Sequence, residues 1–154
     1  MLTGKLSLLL WVLLSFSPGL FGRLYKPGEW YAALPKPPWT PPNVAFPIVW
    51  TFLYFTIGVA AWMVFRNGFA DRRAALALFL VHLALNGLWS WIFFGQHQIA
   101  WALAEIAVLW LVSLAMMVSF WKTAPLAGAL LAPYLVWLSI ALALNASIYI
   151  RSKG

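Results

Sequence analysis

Apolar side chains along this chain gather into five runs, separated by short polar or proline-rich breaks. The runs are Leu6 to about Phe21, Phe46 to Phe65, Ala74 to Phe94, Ile99 to Trp121 and Leu126 to Ile150. A hydrocarbon core of about 30 Å takes about 20 helical residues at about 1.5 Å each. The last four runs reach that length, and none shows the period-2 alternation of a β-barrel. The first is the weakest. Lys5, the stretch Leu6 to Leu14 and Ser15-Phe16-Ser17 also have the outline of a signal peptide. The run is read as a retained span that Pro18 and Gly19 kink or end. The pattern therefore predicts an all-α membrane protein, a bundle of five transmembrane helices forming a single domain over residues 1–154.

The connections differ from one another. Gly95 to Gln98 and Lys122 to Pro125 are short enough to force antiparallel neighbours. Arg66 to Arg73 is short and charged, whereas residues 22–45 form the one long connection. Five prolines fall within Pro35 to Pro42, beside Trp30, Tyr31 and Trp39. Proline fixes φ and removes a donor, so this segment is stiff where a Gly/Ser linker would be loose. A structured Pro/Trp-rich cap over a site is the expectation.

Composition narrows the class further. Hydrophobic residues make up 64% of the 154 and charged residues 8%, against about 45–50% and about 25% in soluble domains. The net charge of +7 comes from Lys and Arg that flank the runs, as headgroup-facing anchors do. No basic stripe with spaced aromatics is present, so nucleic acid is not expected as a partner. Lys and Arg divide five against five between the two ends of the bundle, so charge does not set its orientation. With no Cys, thiolate catalysis, disulfides and Cys-based metal sites are excluded. No nucleophile-elbow, zincin or P-loop motif occurs. His82 and His97 are too far apart for a two-His metal site, and none is expected.

Candidate chemistry lies on helical faces. Phe46, Trp50, Tyr54, Ile57 and Ala61 share one face of the second run. His82, Asn86, Trp89 and Phe93 share one of the third, Trp101, Glu105 and Val108 one of the fourth, and Tyr134, Trp137, Ala141 and Asn145 one of the fifth. Lipid penalises exposed polar groups, so His82, Asn86, Glu105 and Asn145 should point inward. Asn145 reads as interhelical glue, and Asn86 equally as glue or as a ligand-facing group. His82 reads first as a satisfied core histidine. Glu105 with His82 is too short a chain for a proton relay. Trp11, Trp62, Trp121 and Tyr149 fit an interfacial aromatic belt. Leu144, Tyr149 and Arg151 match the permissive cholesterol pattern, for which an interfacial Tyr and a snorkelling Arg are the simpler account. Ala77, Ala84 and Trp91, at heptad spacing on the third run, are the expected homodimer contact.

Several strings resemble one family. W-Y-x-x-L-x-K-P-x-W-x-P-P at Trp30 to Pro42 looks like the first-loop signature of the TspO/translocator protein family, the tryptophan-rich sensory proteins. PIVWTFLYF (Pro47 to Phe55) and LALNGLWSWIFFG (Leu83 to Gly95) resemble its second and third helices. WALAEI (Trp101 to Ile106) and PYLVWLSIALALN (Pro133 to Asn145) resemble its fourth and fifth, so the likeness spans about residues 19–151. The resemblance implies a five-helix bundle, commonly a homodimer, in a bacterial membrane or, in a eukaryote, the mitochondrial outer membrane. It implies a pocket for porphyrins, haem precursors, sterols and benzodiazepine-type compounds, with porphyrin or haem as ligand and no required cofactor. Carried over by motif, Tyr31 and Trp39 belong to the lid. Trp50, Tyr54, Asn86, Trp89, Trp137 and Ala141 line the pocket, with Ala141 at the slot that tunes sterol-type binding. His82 departs from the family's usual Gln or Asn, which raises the question of an axial ligand for a metalloporphyrin. The expected function is a membrane receptor or sensor. The alternatives are a light- and oxygen-dependent porphyrin-degrading enzyme, with Trp50 and Trp137 as its redox candidates, and a tetrapyrrole or sterol transporter.

Overall fold

The computed structural model describes residues 4–68 and 72–154, so Asp71 in the second connection lies outside the described residues. The described residues form helices joined by turns and loops, with no strand among them. α1 is Gly4–Ser15, α2 Ser17–Gly22, α3 Gly28–Ala33 and α4 Ala45–Asn67. α5 is Arg72–Ser90, continued by a π-helical turn over Trp91–Gly95. α6 is Ile99–Thr123, α7 Pro125–Leu130 and α8 Ala132–Ser152. Five stretches are long and apolar enough to span a membrane: Gly4–Gly22, Ala45–Asn67, Arg72–Gly95, Ile99–Thr123 and Pro125–Ser152. The expected five-span, all-α bundle is therefore present, each span extended by a residue or more at one end or both.

The deviations from straight helices have identifiable causes. The first span breaks at Phe16, where Pro18 in the first turn of α2 can return no N–H to the preceding turn. The fifth span breaks at Leu131 for the same reason, with Pro133 in the first turn of α8. A single kink had been expected in the first span, and none in the fifth. The third span ends in a widened turn, closed by Gln96 N–H donating to the Trp91 carbonyl at 2.8 Å. That i→i+5 closure adds a residue to the turn and carries Phe93 and Phe94 round toward the first connection.

The core runs along α4, α5, α6 and α8, from Leu53, Ile57 and Val64 through Phe79 and Leu83 to Leu109, Met116 and Leu138. A second, smaller cluster of Tyr31, Phe93, Ala102, Leu144 and Ile148 sits under the long connection. Large apolar side chains such as Ile48, Phe52, Leu80, Leu111, Val136 and Ile150 face outward, which is the surface a bilayer requires. Interhelical packing in lipid gains mostly dispersion, so close approach matters more than apolar area.

α1 is the peripheral helix, held mainly by α4. Ser15 Oγ donates to the Tyr54 carbonyl, and Trp62 Nε1 donates to Ser7 Oγ at 3.1 Å. Trp11 packs between Phe65 and Phe79, with ring centroids 5.3 and 5.6 Å away. Trp11 and Trp62 were expected to be belt residues and are instead the ties between α1 and the bundle. Gly58 permits the approach, because a Cβ there would lie 2.6 Å from Val12 Cα and 3.2 Å from the Trp11 carbonyl. Gly128 plays the same part where α7 folds against Trp121. Gly58→Ala should push α1 off α4 and cost about 1–3 kcal/mol, the range of overpacked cores. Gly4→Ala meets nothing within 4 Å and should leave the unfolding midpoint in lipid unchanged.

Candidate ligand-binding cavity

A cavity of about 620 Å³ opens between the broken first span, the long connection and the inner faces of the other four spans. Tyr31, Phe46, Trp50, Tyr54, Asn86, Trp89, Trp137 and Ala141 all line it. Helical periodicity had placed most of these on inward faces, and the structure brings those faces to one space. Trp50 stacks on Tyr54 at 5.2 Å and meets Tyr134 edge-on at 6.1 Å. Trp137 meets Phe46 edge-on at 5.7 Å. Trp89 stacks on Phe93 at 4.7 Å. The walls are mainly rigid π surface.

The floor is a closed chain of hydrogen bonds across three spans. Tyr54 O–H donates to Asn86 Oδ1 at 2.7 Å, and Asn86 Nδ2 donates to the Tyr134 oxygen at 2.9 Å. That oxygen already accepts, so its own proton points at His82 Nε2, 2.8 Å away. His82 Nδ1–H then faces the Phe79 carbonyl at 3.3 Å. His82 is fully buried, both ring nitrogens are engaged, and it does not reach the cavity wall. An imidazole in this position has no lone pair free for a metal. Among the described residues no group of His, Asp and Glu is placed to hold a metal ion.

Asn145 is a second tie. Its Oδ1 accepts from Trp89 Nε1 at 3.0 Å and its Nδ2 donates to the Ile99 carbonyl at 3.2 Å, joining α5, α6 and α8. Glu105 is buried, yet neither carboxyl oxygen has a hydrogen-bond partner, and it makes no bond to His82. Its predicted face-mates turn outward instead, with Trp101 69% and Val108 49% exposed. The cavity side of α6 is Ile106 and Leu109. Trp137 lines the cavity, but its Nε1 is buried without a partner.

The roof is α3 and the segment after it. Lys36 Nζ donates to the carbonyls of Tyr31, Ala32 and Leu34 at 2.6, 3.2 and 3.1 Å, satisfying the open C-terminal end of α3. The same ammonium lies 4.6 Å above the Tyr31 ring. Tyr31 turns inward against Phe93 and Phe94, and burial raises its hydroxyl above the ordinary tyrosine pKa, so it remains a neutral donor. Trp30 stacks on His97 at 4.0 Å with the rings 7° from parallel, clasping the roof to the turn after the third span. His97 sits at φ 55°, a left-handed conformation that this stack helps to hold.

Trp39, carried over as a lid residue, is half exposed and outside the cavity lining. Of the cholesterol pattern, Leu144 lines the cavity, Tyr149 lies beneath Lys153 at 4.5 Å, and Arg151 is exposed and bonded to Ser147 Oγ. The three do not make one surface. Sequence reasoning did not find the wall built by Phe16, Pro18, Gly19 and Gly22, nor Arg23, Tyr25 and Lys26 at the mouth. The Pro18-Gly19 break was the available signal, because small residues and a broken helix allow a wall close to a cavity.

The sequence profile of the TspO/MBR family matches residues 7–151. The chain is similar to the tryptophan-rich sensory protein of Cereibacter sphaeroides, 43% identical over 129 residues, covering 84% of this chain and 80% of that one. It is also similar to Protein CrtK of Rhodobacter capsulatus, 38% identical over 138 residues, with 88% and 86% covered. The translocator protein of Homo sapiens is 37% identical over 139 residues, with 86% and 82% covered.

The hydrogen-bond chain predicts an asymmetry. Tyr134→Phe strands both Asn86 Nδ2 and His82 Nε2, and should cost about 1–3 kcal/mol, the penalty of an unsatisfied buried group. Tyr54→Phe strands only Asn86 Oδ1 at the cavity edge and should cost less. Unfolding midpoints measured in one lipid would check the order.

Proposed function

The chain belongs to the TspO/MBR family, a family of multi-pass membrane sensor and receptor proteins, and from that premise we propose that it is a receptor for tetrapyrroles and related apolar ligands. The observation that carries this reading is the roofed cavity of about 620 Å³ with Trp50, Trp89, Trp137, Phe46 and Phe93 in its walls. A porphyrin is a flat apolar ring, and rigid aromatic faces bind such a body at little side-chain entropy cost. A roof pinned by Lys36 and stiffened by proline lowers the ordering cost on binding. Trp137 adds the face of its ring to the wall. Ala141 puts a small side chain on the α8 wall, which supports room for a bulky apolar body. His82, closed into the floor, supports a porphyrin site that makes no use of iron.

A second reading, light- and oxygen-dependent breakdown of porphyrin, is favoured by one observation: Trp50 and Trp137 both face the cavity. Titration with protoporphyrin IX, aerobic and anaerobic, in dark and light, separates the two. Tryptophan quenching alone supports the receptor, and a bleached product that needs protein and oxygen supports the enzyme.

The reading extends to a homodimer through the third span, where Ala77 and Ala84 are exposed and Trp91 is 39% exposed. Small residues there allow a second helix to approach. Ala84→Phe should shift the protein toward monomer in cross-linking, and an unchanged dimer would remove this helix from the contact.

For the cavity itself, Trp50→Ala or Trp137→Ala should weaken protoporphyrin IX binding by about 1–3 kcal/mol, the scale of one large buried side chain. Trp101→Ala, on the outer face of α6, should be silent in the same fluorescence titration. Equal losses at all three positions would trace the effect to folding and remove the assignment.

A further inference from the structure

Unpaired polarity is distributed unevenly along the cavity. In its depth both amide side chains are tied to protein partners. Asn86 and Asn145 each use both ends of the side chain on protein partners. Thr51 Oγ1 is spent on the Pro47 carbonyl. Both amides are thus tied into the protein, and neither carries a charge to offset that of an acid group on a ligand.

The mouth is different. Arg23 follows α2 directly, Lys26 lies three residues on, and both line the opening. The other basic residues at this end are engaged. Lys36 caps α3, Arg151 bonds Ser147, and Lys153 covers Tyr149. Among the described residues the Arg23 and Lys26 side chains make no hydrogen bond or ion pair. Glu29, in the first turn of α3, pairs with neither and stays outside the cavity lining. The Tyr25 and Tyr31 hydroxyls add donors at the same end. An apolar aromatic chamber therefore opens through a ring of free donors carrying two positive charges.

We propose that Arg23 and Lys26 form an anion subsite at the cavity mouth. It selects ligands that join an apolar body to a carboxylate or phosphate, the body seated between the tryptophans and the acid held at the bilayer surface. The inference rests on the receptor reading above. A guanidinium and an ammonium lining one opening suit such a group, since charge-assisted hydrogen bonds are the stronger kind. The same chemistry can come from a tetrapyrrole side chain or from a lipid phosphate entering from the membrane surface.

Protoporphyrin IX and its dimethyl ester share one ring body and differ in the acid groups, so they are the probes. In neutral phosphatidylcholine nanodiscs the diacid should bind about tenfold tighter than the ester, one charge-assisted contact in affinity terms. Added salt should narrow the gap. Arg23→Gln with Lys26→Gln should abolish the preference by lowering diacid affinity to that of the ester, and an unaltered unfolding midpoint shows that the variant is folded. Lys122→Gln, at the opposite end of the bundle, should alter neither affinity. Repeating the titration in phosphatidylglycerol nanodiscs distinguishes the two sources. A preference that persists assigns the subsite to the ligand's own carboxylate, and one that shrinks as anionic lipid rises assigns it to a lipid phosphate. Equal binding of acid and ester in the unaltered protein, or a preference that survives the double substitution, overturns the subsite and leaves the receptor reading standing. Binding of neither probe overturns both.

Discussion

Lipid offers a buried polar group no partner, and that constraint organises this molecule. Backbone groups are satisfied by folding every described span as helix. The buried amides, tyrosine hydroxyls and His82 are satisfied across helices, while Glu105 and Trp137 Nε1 are left without partners. The chain from Tyr54 through Asn86 and Tyr134 to His82 links α4, α5 and α8 at mid-bundle, and Asn145 links α5, α6 and α8 nearer the roof. In a bilayer apolar packing discriminates poorly between one helix arrangement and another. Directional bonds between particular residues do discriminate, so these ties hold the inner faces at a fixed spacing around the cavity.

That spacing leaves a space because of what the first span lacks. A continuous helix carrying large side chains would fill the region beside α5. Instead the helix breaks at Phe16, and the wall of Pro18, Gly19 and Gly22 is low. At the roof, the widened turn at Trp91–Gly95 and the capped α3 direct Phe93, Phe94 and Tyr31 over the opening. Local irregularities in two spans thus make the chamber, while regular helix makes its frame.

The chemistry follows from where polarity is paired. A floor that is fully hydrogen-bonded presents aromatic surface and little else, so it suits the body of a flat apolar molecule. The mouth keeps its donors and its charge. On the proposed reading this order is an advantage, because the costly burial of charge would be avoided while an apolar body lies between the aromatic walls.

Much of this was fixed by the amino-acid sequence itself. Run length determined the last four spans, since about 20 apolar residues cross a bilayer in any context, and the shorter first run was the fifth. Helical spacing put Trp50, Tyr54, Asn86, Trp89 and Trp137 on inward faces, because lipid repels polar side chains wherever they occur. The first-loop string at Trp30 to Pro42 pointed to the family. Tertiary structure decided the rest. Trp39 turned outward although its motif-mate Tyr31 turned in, because Lys36 and the Phe93–Phe94 pair fix only one side of the roof. Glu105 went in without its face-mates Trp101 and Val108, a rotation of α6 that its neighbours set and its own periodicity does not. His82 was closed off by Tyr134, which is 52 residues away. Arg23 and Lys26 became the mouth only when the broken first span met the roof. Each of these depends on residues distant in sequence, whereas spacing along one helix records only what lies on that helix.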